Sequence, residues 1–209
     1  MNMDVKTAYD NWSTQYDSNE NKTRDLEAIA LRECLKDIPF ETCLEIGCGT
    51  GKNSQWLITK ANHVTAVDLS TEMLAKAKEK IKSDKIDFVQ ADIKQDWNFQ
   101  NKYDIVSFSL VLEHIENLEP IFEKTASVIK NSGHVYIGEL HPFKQYAGSK
   151  ARYQTEEGEH VVECYTHNIS DFIDAAKTHG LELVKLKEYF DEENKMSIPR
   201  ILMLLFRKS

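Results

Sequence analysis

The 209-residue sequence predicts a doubly wound α/β domain, and three observations carry that expectation. Apolar runs alternate with amphipathic stretches along the chain, the pattern of a parallel sheet flanked by helices. One segment, YDIVSFSLVLEH from Tyr103, is apolar almost to its end, as a central strand buried on both faces requires. Between an early apolar run and a helical stretch lies CLEIGCGTGKNSQWL, Cys43 to Leu57, with Gly47, Gly49 and Gly51 at every second position.

The elements follow in order. Helices are expected over Val5–Tyr16 and Arg24–Asp37, the second with Leu26, Ile29, Ala30 and Leu35 at helical spacing. The strand TCLEI leads into the glycine turn and a helix near Asn53–Lys60. HVTAVDLS is a strand ending at Asp68, after which Ser70 can cap the helix TEMLAKAKEKI. KIDFVQAD closes on Asp92, and YDIVSFSLVLEH is the fourth strand. A helix over Leu118–Lys130 precedes the strand GHVYIGEL. The segment His141–His167 breaks this rhythm with Pro142, Gly148 and Gly158, although HVVECYTH within it reads as a short strand. A helix near Ser170–His179 follows, then the strands LELVKLKEY and PRILMLLFRK. The acidic turn FDEENKMSI between these two is short enough for an antiparallel hairpin. The expectation is five strand–helix units ending in a hairpin, in a single domain over 1–209 with neither repeat nor linker.

Composition narrows the function classes. A net charge of −8 without a basic stripe argues against a nucleic-acid partner. Four cysteines without C-x-x-C spacing read as free thiols in a reducing compartment. MNMDVKTAYD lacks an apolar signal core, and ILMLLF falls far short of the ~20 residues of a membrane helix. A cytoplasmic protein with no membrane partner is expected; the oligomeric state is open.

The glycine turn excludes two common ligand motifs. A phosphate-cradling loop needs Gly-Lys-Ser/Thr, and here Asn53 follows Gly51-Lys52. The dinucleotide fingerprint needs its third glycine where Lys52 stands. Ligands of doubly wound sheets bind beyond the carboxyl ends of the strands. Gly47, Asp68, Asp92 and the stretches after Leu110 and Leu140 fall there and should share one crevice. A cofactor carboxylate would suit the helix start after the loop. Asp68 follows Gly47 by 68 − 47 = 21 positions, where an acid accepts ribose hydroxyls, a feature dinucleotide folds share.

The motifs LEIGCGTG, VTAVDLS, VQADI and FSLVLEHI, in this order, resemble those of class I S-adenosylmethionine-dependent methyltransferases. The likeness is to small-molecule enzymes similar to the ubiquinone/menaquinone C-methyltransferases, and it spans nearly the whole chain. The resemblance implies a seven-stranded Rossmann-like sheet of order 3-2-1-4-5-7-6 with the last strand antiparallel. It implies S-adenosyl-L-methionine as cofactor and a small-molecule O, N or C acceptor. It puts Gly47, Cys48 and Gly49 against the cofactor, Glu45 near its methionine end, Asp68 and Leu69 at the ribose, and Asp92 and Ile93 at the adenine, with Leu110 beside them. The N-terminal AYDNWSTQYD resembles the family too: Tyr16 is expected at the methionine end, and the helices of 1–38 over the site.

Candidate acceptor-side residues are Glu113 and His114 after the fourth strand, and Glu139 and His141 around the end of the fifth. His114 and His141 are the expected catalytic groups, His141 as base. The stretch 141–167 is expected to lid the acceptor pocket, since long irregular segments are usually functional. Its Lys144, Tyr146, Arg152, Tyr153, Tyr165 and His167 suit an aromatic or carboxylate-bearing molecule, and Glu156, Glu157 and Glu159 oppose that. No metal is expected, because His114, His141 and His167 lack ligand spacing. Two alternatives stand. One is an NAD(P)-dependent oxidoreductase, for which Tyr146 and Lys150 mimic a Tyr-x-x-x-Lys pair although Gly148 interrupts any helix between them. The other is a non-catalytic cofactor-binding module.

Overall fold

The computed structural model describes residues 4–99, 101–155, 158–192 and 195–209. Helices α1 (Val5–Trp12) and α2 (Lys22–Leu35) precede β1 (Thr42–Ile46), α3 (Ser54–Lys60), β2 (His63–Asp68), α4 (Thr71–Lys80) and β3 (Ile86–Gln90). Then come β4 (Tyr103–Ser109), α5 (Glu119–Val128) and β5 (Ile129–Leu140). A short excursion follows: α6 (Pro142–Tyr146), β6 (Arg152–Thr155) and β7 (Gly158–Val161). The chain ends with α7 (Ile169–Thr178), β8 (Leu181–Tyr189) and β9 (Ile201–Lys208).

Seven strands form one sheet in the order β3-β2-β1-β4-β5-β9-β8, with β1 to β5 parallel and β9 antiparallel to both its neighbours. This is the expected order once β6 and β7, which pair only with each other, are left out of the count. Both faces of the sheet are covered. Along β9, Leu202, Leu204 and Phe206 join the core under α5 and α7, while Ile201, Met203 and Leu205 join the one under α2 and α3. Alternation across a pleat buried on both sides is why ILMLLF is apolar throughout. No helix among the described residues is long and apolar enough to cross a membrane.

Four local expectations need correction. The apolar run after Tyr103 ceases to be strand at Ser109: Leu110 takes a left-handed conformation (φ 55°) and Leu112–His114 form a 3₁₀ turn. No helix links β3 to β4 among the described residues. There the Lys124 ammonium satisfies the carbonyls of Ile93, Lys94 and Gln95 at 3.1, 2.9 and 2.7 Å, and the Trp97 indole donates to Ile93 at 2.9 Å. The extended backbone therefore has partners without a helix. On α2 the buried face is Glu27, Ala28, Ala30, Leu31, Cys34 and Leu35, and Ile29 is exposed. Finally, α1 stops at Trp12, so Tyr16 lies in a turn rather than on the helix.

Candidate active site

The glycine loop leaves β1 by three left-handed residues, Gly47, Gly49 and Gly51 (φ 74°, 52° and 83°). A Cβ on Gly47 would stand 2.8 Å from Val111 Cβ, so the loop packs directly against the turn after β4. The Gly47 and Cys48 amides donate to the Val67 carbonyl at 2.8 and 3.0 Å. The Gly49 amide donates to Asp68 Oδ2 at 2.7 Å, and the Ser70 amide to Asp68 Oδ1 at 2.9 Å. Asp68 thereby ties the loop after β1 to the start of α4, and burial pushes its carboxyl above the usual range. Ser70 accepts from the Met73 amide at 3.1 Å, the expected cap.

Beyond these strand ends lies a cavity, walled on one side by the glycine loop. Tyr16, Gly47, Gly49, Asp68, Leu69, Asp92, Ile93 and Leu110 all line it, as does His114. Tyr9, Trp12 and Tyr16 pack as one aromatic group, with Tyr9–Trp12 centroids 5.7 Å and Trp12–Tyr16 centroids 5.0 Å apart. This group is pinned across the loops: Ser70 donates to Asp10 at 2.6 Å, and Asp17 accepts from Thr50 at 2.6 Å and pairs with Lys80 at 2.7 Å.

Glu45 and Cys48 border an adjoining recess beneath the glycine loop. Burial pushes the Glu45 carboxyl up to about 8, and it accepts from the Ser54 hydroxyl. A second buried carboxyl, Glu27, meets it there, accepting from Asn53 at 2.8 Å and from the Tyr136 hydroxyl at 3.0 Å. Sequence reading missed Glu27, since an acid on a charged helix reads as solvated face. Arg24 also borders the recess: its guanidinium lies 4.0 Å over the Tyr16 ring and donates to the Tyr16 and Asn19 carbonyls.

A second cavity adjoins the first and shares Tyr9, Tyr16 and Leu110 with it. At this boundary the Tyr9 hydroxyl is 2.9 Å from His114 Nε2. His114 Nδ1 faces the Glu163 carbonyl at 2.8 Å, and a carbonyl only accepts, so Nδ1 carries the hydrogen. Nε2 of the neutral ring is then the acceptor, and Tyr9 donates to it. Glu113 and Arg152 line the second cavity, together with Lys150, read from sequence only as half of a Tyr-x-x-x-Lys pair, and with Arg24 and Arg200, which the sequence did not single out.

His141 is elsewhere. Fully buried, it lines neither cavity; Nε2 faces Glu188 Oε1 at 2.9 Å and Nδ1 accepts from the Phe143 amide at 3.2 Å, capping α6. Burial lowers its basicity. Glu139 is buried too, its Oε1 accepting from the Val111 and Leu112 amides at 3.0 and 2.9 Å, and burial pushes it up to about 8. In the excursion, Lys144 pairs with Asp191, Tyr146 donates to Asn168, Tyr165 gives its amide to Glu113, and His167 faces the Ile115 carbonyl. Glu156 and Glu157, and the side chains of Tyr153 and Glu159, lie outside the described residues. Tyr146 ends α6 and Gly148 turns left-handed after it, so Tyr146 and Lys150 are not aligned on one helix.

Donor atoms of Glu113, His114 and Cys164 come within 4.8 Å of one another, a grouping invisible in sequence because Cys164 arrives 50 residues later. His114 Nε2 faces the Tyr9 hydroxyl and Nδ1 the Glu163 carbonyl, and burial holds the Cys164 thiol up to about 12.

Residues 44–137 match the family model described as a methyltransferase domain. The chain is 28% identical over 140 residues to a malonyl-[acyl-carrier protein] O-methyltransferase of Haemophilus ducreyi, covering 62% of this chain and 54% of that protein. It is 30% identical over 134 residues to nodulation protein S of Azorhizobium caulinodans, covering 63% of each. The chain thus spans about half the length of the first relatives it matches. Among solved structures, the DhpI-SAM-HEP complex superposes with a TM-score of 0.77 at 23% identity, over 96% of this chain and 94% of that one. The N-methyltransferase NodS of Bradyrhizobium japonicum, in complex with S-adenosyl-L-homocysteine, gives 0.75 at 16%, over 99% of both. These likenesses establish the class I S-adenosylmethionine-dependent methyltransferase fold.

Proposed function

We propose that this chain, of the class I S-adenosylmethionine-dependent methyltransferase class by its fold and its domain match, transfers a methyl group from S-adenosyl-L-methionine to a small-molecule acceptor. The observation that carries the proposal is the first cavity: a glycine loop with no room for a side chain at Gly47 opens onto half-buried Asp68 and, at the next strand end, Asp92. Asp68 uses its two oxygens on backbone amides yet keeps further lone pairs at the cavity wall, which fits a ribose diol. Asp92 beside apolar Ile93 fits an adenine ring with its amino group. Arg24 and the recess under the loop fit the methionine end of the cofactor.

When bound, the cofactor supplies an electrophilic methyl group on a sulfonium. The protein's part is alignment of the acceptor, which can supply ~7–11 kcal/mol of the barrier reduction, and removal of its proton. Tyr9 and His114, at the boundary of the two cavities, suit the second task. With cofactor and acceptor bound, the Tyr9 oxygen would be placed to take the proton that the acceptor loses when it is methylated. The Tyr9 proton moves to His114 Nε2, and the Glu163 carbonyl holds the other ring hydrogen. We assign the base to His114 rather than His141, because His141 lines neither cavity. The free thiols among the described residues fit a reducing, cytoplasmic setting.

Calorimetry tests the reading directly: S-adenosylhomocysteine should bind the wild type and NADH should not, and the reverse result would restore the oxidoreductase. In Asp68→Ala, S-adenosylmethionine affinity should fall at least about tenfold, since bonds to a charged acceptor are worth ~1.5–3 kcal/mol. An unchanged dissociation constant in a folded variant would place the ribose partner elsewhere.

A further inference from the structure

The two cavities differ in charge. The first carries Asp68 and Asp92 against Lys94. Among the described residues, the second is lined by Arg24, Lys150, Arg152 and Arg200 and by one carboxyl, Glu113, which burial pushes toward its neutral form, while Asp191 pairs with Arg200 from beside it. The whole chain has 34 acidic and 26 basic residues, so four cations on one cavity wall run against its bulk balance. Arg24 also borders the recess under the glycine loop and is assigned above to the cofactor. Lys150, Arg152 and Arg200 line neither the first cavity nor the recess. Cofactor binding therefore accounts for none of these three.

Arg200 is built into place. Its amide donates to the Tyr189 carbonyl at 2.7 Å, its carbonyl accepts from the His141 amide at 2.8 Å, and Nη1 donates to Thr23 Oγ1 at 3.0 Å. Nε and Nη2 face Asp191, but Asp191 also takes Lys144 at 3.4 Å, so one carboxylate serves two cations. Lys150 forms no ion pair with a described residue. Arg152 is steered from its own loop, Nη2 donating to the Gly148 carbonyl at 2.9 Å. A guanidinium has five N–H groups, so Arg200 keeps N–H groups beyond those given to Asp191 and Thr23 for a charge-assisted hydrogen bond to a carboxylate or a phosphate-like group, and a lysine adds a mobile point charge.

We propose that the second cavity takes an acceptor bearing an acid group, a carboxylate or a phosphate or phosphonate, anchored by Arg200, Lys150 and Arg152. The inference rests on the methyltransferase reading: anchoring the acid end presents the acceptor's nucleophile at the boundary formed by Tyr9, Tyr16 and Leu110. Lys150 and Arg152 come from the excursion after β5 and Arg200 from the β8–β9 turn, so the acid group also bridges those two segments.

The test uses the full chain saturated with S-adenosylhomocysteine. It is titrated calorimetrically with benzoate, phenylphosphonate and succinate, and with the matched neutral benzamide and succinamide. At least one acid should bind tenfold or more tightly than its neutral counterpart, the scale of a charge-assisted hydrogen bond. That preference should drop about tenfold in Arg200→Gln and in Lys150→Gln while homocysteine-ligand affinity stays constant. Lys150 is exposed, so its variant keeps the test decisive if Arg200→Gln misfolds. Equal binding of acids and amides, or no binding of any acid to the loaded protein, overturns this inference alone. Failure to bind S-adenosylhomocysteine at all overturns the methyltransferase reading and this inference with it.

Discussion

His114 and Tyr9 show what single residues contribute here. The histidine sits in the loop after the fourth strand, where sequence reading placed a candidate, and its tautomer follows from the Glu163 carbonyl that fixes Nδ1. Tyr9 belongs to the N-terminal stretch expected to lie over the site, and its hydroxyl lies on Nε2. If the two form one relay, Tyr9→Phe and His114→Ala should each lower turnover by about 10²–10⁴-fold. The double variant should be scarcely worse than either, because groups that act as a unit are not additive. Steady-state kinetics with S-adenosylhomocysteine affinity as control checks this, and fully additive losses would separate the two residues. His141→Ala should instead lower stability by ~1–3 kcal/mol, leaving Glu188 and the Phe143 amide without a buried partner, with turnover within about threefold of wild type. Ten-thousandfold loss there would return the base to His141.

At the scale of elements, the strand–turn–helix around Gly47 is the decisive unit. Its three alternating glycines were legible because only glycine takes left-handed turns at no steric cost. What the spacing could not reveal is the neighbour: Val111, 64 positions on, stands where a Gly47 Cβ would be. Gly47→Ala therefore combines a clash with a φ of 74°. We expect ~1–3 kcal/mol of destabilisation and loss of measurable cofactor binding, read by urea unfolding and calorimetry. Adding Val111→Gly, which removes the Cβ that a Gly47 side chain would meet, should relieve the clash and recover part of the stability but not the strain; a Gly47→Ala variant as stable as wild type would disprove the close approach. Leu110 is the converse case. It holds φ 55° without being glycine, its amide bonded to the Gly138 carbonyl at 2.8 Å, and nothing in an apolar run announces that.

For the whole molecule, the distinctive property is a set of buried carboxyls where strands and helices meet the crevice. Burial pushes Glu45 and Glu139 each up to about 8, so the folded protein keeps protons that the unfolded chain releases near the ordinary glutamate value. Their contribution to stability is complete at pH below about 4.5 and is lost as pH rises through about 8, at up to ~1.4 kcal/mol per pH unit for each group. Urea unfolding should show this contribution as a difference from Glu139→Gln, a variant that still accepts from the Val111 and Leu112 amides but cannot ionise. Stability relative to that variant should fall between pH 5 and pH 8, and a difference independent of pH would remove Glu139 as a source.

Sequence alone determined the sheet, its switch point and most of the residues that line the first cavity. Each rests on local rules: period-two or unbroken apolar runs, helical stripes, caps such as Ser70, and glycines where the chain must turn left-handed. The crevice was readable for the same reason, since the ends of parallel strands are fixed once the strand order is. Tertiary structure alone decided which polar side chains meet. Glu27 reaches Asn53 across 26 residues, Tyr9 reaches His114 across 105, and Arg200 closes a cavity with Lys150 from another segment. Such contacts depend on how loops pack over the sheet, and no local periodicity records them. His141 marks the limit: position along the strand put it at the crevice, but two hydrogen bonds and complete burial hold it in the wall behind.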